Sequence, residues 1–424
     1  MTATILMIGT LDTKENEFMY LHNQLRLRGK NVLTVNVGVM SSSKKIQVDI
    51  DADVIAEAGG SSLFELRRDQ NRSHAMKVMC QGAASIILSL FNAGRFQGII
   101  GMGGGGGTSI ATSAMRALPL GIPKVCVSTL ASGDVSAYVG TKDIVMFPSL
   151  VDIAGINHLS RFTISHAAGA LCGMLDTEII PFSQKDAPVI AATMFGNTTP
   201  CVQRCMHQLR KLGCEVLVFH ATGAGGKMME ALIEEGYVDA VLDLTTTELA
   251  DEICGGMMSA GETRLTAAAR MGIPQVIAPG CLDMVNFGPR LSVPQHYNKA
   301  GRNFYSWNPS NTLMRTNRHE NRMIGEQIAL RLNAAKGPVK VLLPLQGLSL
   351  LDEDGQPFCD RTADKVLFDT LKDMLLPHIE IIEINEAINH PTFADKAVEV
   401  LLDLLIPKYS MILNKERENG DSTQ

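Results

Sequence analysis

The sequence Gly98-Ile-Ile-Gly-Met-Gly-Gly-Gly-Gly-Gly-Thr-Ser109 carries the strongest indication of the fold. Its start, residues 98–101, is a short apolar run that predicts a buried strand, and residues 110–118 predict a helix. Short apolar runs and helical patterns alternate in the same way on both sides of this stretch. Because such alternation is typical of parallel sheets whose strands are joined by helices, we expect an α/β protein with mainly parallel, doubly wound, Rossmann-like sheets.

A polar segment bracketed by prolines, Pro181-Phe-Ser-Gln-Lys-Asp-Ala-Pro188, interrupts this alternation. The same α/β pattern resumes after it and continues through the second half of the chain. A length of 424 residues is enough for two or three domains. The sequence therefore predicts two doubly wound domains, one over residues 1–182 that contains the glycine cluster and one over residues 187–424.

The glycine cluster is suited to binding phosphate. Glycine lets the backbone approach a ligand closely, and the free N–H groups at a helix N-terminus attract anions. We expect the phosphates of a nucleotide to contact the glycines and the first hydroxyl of this turn, which are Gly103, Gly104, Gly105, Gly106, Gly107 and Thr108. A turn that only lets the helix pack closely on the strand is the alternative.

The residues around the cluster favour a mononucleotide. Gly101, Gly103 and Gly106 fit the dinucleotide fingerprint, but a run of consecutive glycines fits many patterns. No acidic residue ends the next predicted strand, residues 125–129, as a site for the ribose of NAD requires. No lysine follows the cluster, so the Walker sequence is absent as well. The sequence therefore predicts a mononucleotide site of a non-Walker kind, with ATP as the expected ligand.

Three other segments are expected to reach the same site. Asp12, Thr13 and Lys14 follow the first predicted strand, and strand ends of a doubly wound sheet meet at the edge where ligands bind. Lys14 is expected to meet a phosphate and Asp12 to bind Mg²⁺ or a ribose hydroxyl. Capping of the first helix by Asp12 or Thr13 is the alternative. Ser128 and Arg72 complete the predicted site, although an arginine at a helix start is often only solvated.

The second half of the chain carries another group of polar residues at predicted strand ends. They are His220, Asp243, Glu248, Asp283 and Asn286. A second glycine-rich turn, Gly223-Ala-Gly-Gly-Lys227, predicts a further anion site. His220, Asp243, Glu248 and Asp283 are therefore candidate catalytic residues for acid–base chemistry on a carboxylate or phosphate substrate. Ordinary caps and turns are the alternative.

Residues 280–311 form the longest stretch without a clean hydrophobic period. They include Tyr297, Phe304, Tyr305 and the chain's single tryptophan, Trp307. Long stretches of this kind are often lids or binding loops. A lid and a strut that covers the second sheet both remain open.

Composition narrows the classes of partner. A formal net charge of −6 without a long basic run argues against a nucleic-acid-binding protein. The nine cysteines are odd in number and lie mostly in apolar runs, which favours buried, reduced thiols in a cytoplasmic protein. We find no signal peptide and no apolar stretch fit to span a bilayer, so no membrane partner is expected.

Ordered motifs run through nearly the whole chain. They are Gly9-Thr-Leu-Asp-Thr-Lys14, Gly101-Met-Gly-Gly-Gly-Gly-Gly-Thr-Ser109, Phe195-Gly-Asn-Thr-Thr-Pro-Cys-Val202, Val218-Phe-His-Ala-Thr-Gly223, Leu242-Asp-Leu-Thr-Thr-Thr-Glu248, Leu282-Asp-Met-Val-Asn-Phe-Gly-Pro289 and Leu313-Met-Arg-Thr316. With these motifs the chain resembles the Tm-one-like ATP-binding domain family. The resemblance implies an N-terminal Rossmann-like subdomain that binds ATP with Mg²⁺, a second α/β subdomain and a homodimer. It also implies nucleotide contacts at residues 12–14 and 103–106, although Gly105 stands where the plant-like motif has serine.

Three functions remain open at this point. The protein is an enzyme that acts on a small anionic metabolite with the nucleotide as co-substrate, a binding module gated by the nucleotide, or a protein that works through a partner and holds the nucleotide structurally. Convergence of His220, Lys227, Asp243 and Asp283 in one pocket facing the nucleotide would favour the enzyme.

Overall fold

The structure, a computed structural model, describes residues 2–41, 45–178, 187–298 and 301–420. The chain divides into two compact units, residues 1–181 and residues 182–424. The segment expected to form the domain boundary, residues 181–188, lies outside the described residues except for its last two. Each unit is built around its own parallel sheet.

The sheet of the first unit has five strands among the described residues. They are β1 (Thr4–Gly9), β2 (Asn31–Asn36), β3 (Gly98–Gly103), β4 (Lys124–Ser128) and β5 (Ile144–Pro148). Their spatial order is β2-β1-β3-β4-β5, and all neighbours run parallel. This is a flavodoxin-like doubly wound order, in which ligands bind outside the carboxyl ends of the strands where the order reverses, between β1 and β3.

Helices cover both faces of this sheet. They are α1 (Leu11–Leu27), α2 (Ala52–Ala58), α3 (Leu63–Asp69), α4 (Arg72–Asn92), α5 (Gly105–Arg116), α6 (Ser136–Val139) and α7 (His158–Asp176). The side chains of β1 alternate between the two faces, so that Leu6 and Ile8 join one hydrophobic core and Ile5 and Met7 join the other. Burial on both faces explains why the strands are continuous apolar runs in the sequence.

The helix α4 is long and apolar enough, by length and composition alone, to cross a membrane, although no such stretch was predicted. In the structure α4 packs against α2 and α5. Its side chains Val78, Met79 and Ile87 are part of the hydrophobic core. A core helix of an α/β domain passes the same compositional test, so this property is a weak indication of a membrane span.

The strand and the helix around the glycine cluster extend further than predicted. β3 continues to Gly103 and α5 begins at Gly105, so Gly104 alone joins them. A Cβ atom on Gly103 would lie 2.7 Å from the Cα atom of Gly107. Glycine at both positions therefore lets the helix begin directly against the strand. The low helix propensity of glycine hid this first helical turn in the sequence.

The second unit contains a six-stranded parallel sheet and a three-stranded antiparallel sheet among its described residues. The strands are β6 (Val189–Met194), β7 (Glu215–His220), β8 (Ala240–Thr245), β9 (Gln275–Gly280), β10 (Met284–Phe287), β11 (Phe304–Asn308), β12 (Asn311–Arg315), β13 (Val339–Pro344) and β14 (Glu380–Ile384). The parallel sheet has the order β14-β13-β9-β8-β6-β7. Its order thus reverses between β6 and β8, as the first sheet's order does between β1 and β3.

Helices again lie on both faces of the parallel sheet. They are α8 (Thr199–Lys211), α9 (Ala224–Glu234), α10 (Thr247–Cys254), α11 (Ala267–Met271), α12 (Arg318–Asn333), α13 (Arg361–Met374) and α14 (Pro391–Gly420). One core includes residues of α8 and α14, a second includes residues of α10, α12 and α13, and a third includes residues of α9 and α11. Both predicted domains are therefore α/β folds with mainly parallel sheets.

The aperiodic stretch of residues 280–311 contributes β10, β11 and the first residue of β12 to the antiparallel sheet. In that sheet β12 pairs with β10 on one side and with β11 on the other. Phe287 and Tyr297 pack against each other with ring centroids 5.7 Å apart. Short strands and short 3₁₀ turns alternate here, which is why neither helical nor strand periodicity is visible in the sequence.

Candidate functional site

A cavity of about 650 Å³ lies at the carboxyl edge of the first sheet. Its lining residues follow β1, β2 and β3 and include the start of α4. The cavity is therefore at the reversal of strand order between β1 and β3, where doubly wound sheets bind ligands. Its volume is in the range of small-molecule binding pockets.

Two helix N-termini border this cavity. The N-cap residues, Thr10 of α1 and Gly104 of α5, make no side-chain cap hydrogen bond, although the Leu11 N–H of α1 donates to Asn36 Oδ1 at 3.1 Å. The first N–H groups of a helix have no partner within the helix, and they carry the positive end of the helix dipole. Cβ atoms placed on Gly104, Gly105 or Gly106 would approach no heavy atom closer than 3.5 Å, apart from chain neighbours. This wall of the cavity is therefore bare backbone with space in front of it.

Three cationic side chains also line the cavity, and they differ in what they bind. The Lys14 ammonium donates to the Ile153 carbonyl oxygen, and Arg67 Nε donates to the Val39 carbonyl oxygen at 2.6 Å. Arg72 makes no hydrogen bond or ion pair within the described part of the chain. Its Nη2 atom lies 4.0 Å from the position that a Cβ atom on Gly106 would take. Arg72 is thus the cation best placed to meet an anion at the start of α5.

Asp12 lines the cavity and holds the loop that follows β2. Its Oδ2 atom accepts a hydrogen bond from the Met40 N–H at 3.0 Å, and a Cβ atom on Gly38 would lie 2.3 Å from its Cγ atom. Its Oδ1 atom is buried and has no hydrogen-bond partner among the described residues. The Thr13 hydroxyl donates to the Thr10 carbonyl oxygen. Neither side chain caps α1, so the helix-cap alternative is wrong for both.

The remaining wall of the cavity is apolar. Its side chains come from the loop after β2 and from α3, α4 and α5, and they are Val37, Val39, Met40, Leu66, Ala75, Met76, Met79 and Ile110. The cavity thus joins an apolar wall to a polar backbone wall. The apolar half was not predicted, because methionines at helical spacing on α4 are indistinguishable in sequence from core residues.

Three residues of the predicted site, Gly103, Thr108 and Ser128, do not line the cavity. The hydroxyl oxygens of Thr108 and Ser128 lie 2.7 Å from each other, and Thr108 also donates to the Gly103 carbonyl oxygen at 3.2 Å. Both residues are completely buried. Their hydroxyls join the start of α5 to the end of β4, which replaces the predicted contact with a ligand.

In the second unit Asp243 and Glu248 are buried in an ion cluster around Arg264. All three side chains are fully buried. Two guanidinium nitrogens donate to the Asp243 carboxylate at 2.5 and 2.8 Å, and Nε donates to Glu248 Oε2 at 2.7 Å. Burial disfavours the charge of Arg264, but the carboxylates of Asp243 and Glu248 outweigh it and raise the pKa of Arg264. These acids therefore balance an internal cation.

The second predicted anion site is filled by the protein itself. The Oε1 atom of Glu248 accepts hydrogen bonds from the Gly223 N–H at 2.7 Å and the Gly226 N–H at 3.0 Å. A Cβ atom on Gly226 would lie 2.2 Å from Glu248 Oε2. The glycines of this turn accommodate a carboxylate of the chain, and the expectation of a free anion site here is corrected.

Asp283 is also buried, in a different cluster. It accepts a hydrogen bond from the Ser349 hydroxyl at 2.8 Å. Burial raises the pKa of Asp283 to about 6, against the opposing effect of Arg315. Arg315 itself pairs with Asp352 at 3.1 Å and Asp364 at 2.5 Å. Asp283 therefore belongs to an internal network of carboxyl groups and arginine.

His220 stands apart from these acids. It is exposed at the end of β7 and packs edge to face on Phe195, with ring centroids 5.5 Å apart. It lines a smaller cavity of about 300 Å³ that Asp243, Glu248, Asp283 and Lys227 do not line. The candidate catalytic residues therefore do not converge in one pocket of the second unit.

Comparison with known proteins identifies relatives of the whole chain. Models of the uncharacterised protein family UPF0261 match residues 3–179 (N-terminal domain) and residues 187–405 (C-terminal domain). A UPF0261 protein of Clostridium tetani is 47% identical over 406 residues, 96% of this chain and 100% of that protein. One of Mesorhizobium japonicum is 44% identical over 94% of this chain and 98% of that protein.

A plant protein is also similar. The ToMV resistance protein Tm-1(GCR237) of Solanum lycopersicum is 37% identical over 423 residues, 94% of this chain and 55% of that protein. Among solved structures, the glycosyltransferase SsfS6 of Streptomyces sp. SF2575 aligns with a TM-score of 0.18 at 16% identity, over 65% of this chain and 82% of that chain. The sequence matches confirm a UPF0261 family that includes Tm-1 relatives, and the ATP binding that the resemblance implied stays a prediction.

Proposed function

This chain belongs to the UPF0261 family, and we propose that its first unit binds a nucleotide, ATP together with Mg²⁺, in the cavity between the ends of β1 and β3. The observation that carries the proposal is the uncapped start of α5, which faces an apolar-walled cavity. Phosphate binding at helix N-termini is a recurring use of this arrangement.

The phosphates would bind at the backbone wall. The N–H groups of Gly105, Gly106 and Gly107 have no partner within α5, and the space in front of the backbone admits an oxyanion. Arg72 adds a charge whose hydrogen-bond donors are free to meet two phosphate oxygens. The base would pack on the apolar wall around Met76 and Met79. Its flat ring would displace water from these apolar side chains, which is favourable.

Mg²⁺ suits the single acidic side chain of the cavity. Asp12 is the one carboxylate among the described lining residues, and no group of three or more candidate metal ligands is found in the described part of the chain. Mg²⁺ commonly keeps several waters and takes one or two carboxylates in addition to substrate phosphates. The free Oδ1 atom of Asp12 fits that pattern. The ion would neutralise phosphate charge.

We favour a nucleotide-binding module over an enzyme that acts on a small anionic metabolite. Asp243 and Glu248 are engaged with Arg264, and the glycine turn that an anionic substrate would use holds Glu248. The homodimer implied by the family resemblance remains a prediction.

Calorimetric titration with ATP, ADP, NAD and NADP, each with and without Mg²⁺, tests the proposal. ATP is expected to bind more tightly with Mg²⁺ than without it. Arg72→Ala should weaken binding about tenfold through loss of a charge-assisted contact, which is ~1.4 kcal/mol. Gly106→Val should abolish binding, because its side chain would occupy the phosphate position.

Arg68→Ala is the matched control for these variants. Arg68 is exposed, pairs with Asp69 at 3.0 Å and does not line the cavity, so its removal should leave affinity unchanged. Absence of binding by every nucleotide would refute the proposal. Equal affinity of wild type, Arg72→Ala and Gly106→Val would locate the nucleotide elsewhere and refute the assigned site.

A further inference from the structure

A second cavity lies at the carboxyl edge of the other sheet. It has a volume of about 300 Å³ and is lined by residues from the end of β6, the end of β7, β10 and the hairpin of β11 and β12. This volume is at the lower end of the range for small-molecule pockets. The nucleotide proposed above belongs to the first unit, so this cavity needs a ligand of its own.

The cavity wall is polar but carries no fixed charge. Among the described residues that line it there is no lysine, arginine, aspartate or glutamate, and His220 is its only titratable side chain. An ion that left water for this cavity would find no partner of opposite fixed charge, which is unfavourable. The lining therefore selects an uncharged ligand.

Two buried carboxamides of this lining lack partners for their oxygen atoms. Asn197 and Asn286 are each 1% exposed, and the Oδ1 atom of each has no hydrogen-bond partner among the described residues. The Asn286 Nδ2 group donates to Asp251 Oδ2 at 2.7 Å, and Asn286 Oδ1 is left as the atom without a partner. Buried acceptors without partners are unfavourable, so a ligand that donates hydrogen bonds would be stabilised here.

Aromatic rings supply the rest of the wall. Phe195 and Trp307 both line the cavity, and Trp307 is 48% exposed. A Cβ atom on Gly196 would lie 3.9 Å from Trp307 Cζ2, so the glycine leaves open space beside this ring. Rings that face carboxamides accommodate a compound with both C–H faces and hydroxyl groups.

We propose that the second unit binds a small, uncharged polyhydroxy compound of about the size of a monosaccharide in this cavity. Its hydroxyl groups donate to Asn197 and Asn286, and its C–H face packs on Trp307. Hydroxyl groups suit carboxamides because each can both donate and accept hydrogen bonds.

Fluorescence of Trp307 tests this proposal directly, because the chain has a single tryptophan. Titration of the full-length protein with D-ribose, D-glucose, myo-inositol and glycerol should give a saturable change in emission with at least one of them. Succinate and L-lysine, which test anionic and cationic ligands, should give none. A response only to succinate or L-lysine, or no saturable response to any polyhydroxy probe, overturns the proposal.

Gly196→Val is the blocking variant. Its Cβ atom would lie at ordinary contact distance from Trp307, and its methyl groups would take up the space beside the ring. We therefore expect the variant to fold and to lose the response by at least tenfold in affinity. Gly173→Val, on the other unit with no atom near its Cβ position, is the matched control and should respond as wild type does. A response that survives in Gly196→Val overturns the assignment to this cavity.

Discussion

The parallel sheets of the two units reverse their strand order at corresponding places. At the carboxyl ends of the strands there, the first unit has a cavity, whereas the second unit is filled by side chains. In the first unit the point between β1 and β3 is bordered by bare glycine backbone and a cavity of about 650 Å³. In the second unit the point between β6 and β8 is filled by the hydroxyls of Thr198 and Thr245, which lie 2.8 Å from each other and are fully buried. The sheet topology determines where a ligand could bind. Whether space for a ligand is present there depends on the side chains.

The same contrast holds for the glycine-rich turns. At the start of α5 no side chain occupies the helix N-terminus, whereas at the start of α9 the carboxylate of Glu248 accepts from Gly223 and Gly226. An internal carboxylate therefore takes the position that an external phosphate is proposed to take in the first unit. Variants that remove the internal charges would break this difference.

Arg264→Met should have the largest effect. It would leave Asp243, Glu248 and Glu230 as buried carboxylates without their cation, and removal of one partner of a buried ion pair costs about 3–5 kcal/mol. We expect a loss near the upper end, about 5 kcal/mol, because three carboxylates share this arginine. Urea unfolding followed by Trp307 fluorescence measures it, since Trp307 reports on the second unit.

Arg270→Met is the control for that variant. Arg270 pairs with Glu234, and both side chains are about half exposed, so its loss should change the unfolding midpoint little. Equal midpoints for Arg264→Met and wild type would mean that the buried cluster does not hold the second unit together.

Glu248→Ala should empty the anion site in the glycine-rich turn at the start of α9, which the Glu248 carboxylate occupies. It would remove one of the partners of Arg264 and free the N–H groups of Gly223 and Gly226, with an expected loss of about 3 kcal/mol. Inorganic phosphate should restore part of this stability by binding to the native state of the variant. The measurement is the urea midpoint with and without phosphate, compared with equal ionic strength of chloride.

Wild type is the reference, and phosphate should leave the midpoint of its second unit unchanged beyond the chloride effect. If phosphate stabilises wild type and Glu248→Ala equally, the carboxylate of Glu248 does not occupy an anion site.

The alternation of apolar runs and helical patterns was enough to predict both parallel sheets. It also located the turn at Gly104 on the sheet edge, because strand ends of a parallel sheet share one edge. The start of α5 could not be predicted, since its first turn consists of glycine and glycine disfavours helix. The antiparallel sheet was hidden for a similar reason, since β10 has only four residues and shows no clear period.

The internal use of the polar residues was also beyond prediction. Arg264 lies in no regular element and meets Asp243 and Glu248 only in the folded unit. A strand-end acid looks the same in sequence whether it faces a ligand or a buried arginine. The roles of Thr108 and Ser128 could not be predicted for the same reason. A hydroxyl beside a glycine cluster can form a hydrogen bond with a phosphate or with a neighbouring hydroxyl equally well.

Two alanine substitutions separate the packing role of the glycine cluster from its open wall. Gly103→Ala would bring Cβ within 2.7 Å of the Gly107 backbone and should destabilise the first unit by about 1–3 kcal/mol. Gly106→Ala has room for its Cβ atom and should leave stability unchanged or raise it by about 0.4–1 kcal/mol. Hydrogen exchange of β3 and α5 measures both effects. Similar exchange rates in the two variants would contradict this division.

A dependence of stability on pH is also expected to belong to the second unit. Burial, first of all, raises the pKa of Asp251 to about 8, and the other carboxyls with raised pKa among the described residues, Glu230, Asp283 and Asp352, are also in that unit. The native state therefore keeps the Asp251 proton that the unfolded chain releases near pH 4. The stabilisation that protonated Asp251 provides is complete below about pH 4 and is lost as the pH rises through about 8.

Asp251→Asn should accordingly flatten the pH profile of the second unit. The neutral carboxamide retains the shape of the protonated acid, and the change in slope for one proton is at most about 1.4 kcal/mol per pH unit. Urea unfolding at intervals between pH 4 and pH 8, followed by Trp307 fluorescence, measures the slope. Asp373→Asn, at an exposed position of the same unit, should keep the wild-type slope. If the profile of Asp251→Asn were as steep as that of wild type, Asp251 would be ionised in the native state. The second unit would then contain a buried carboxylate, and the prediction that Asp251 is a neutral acid would be wrong.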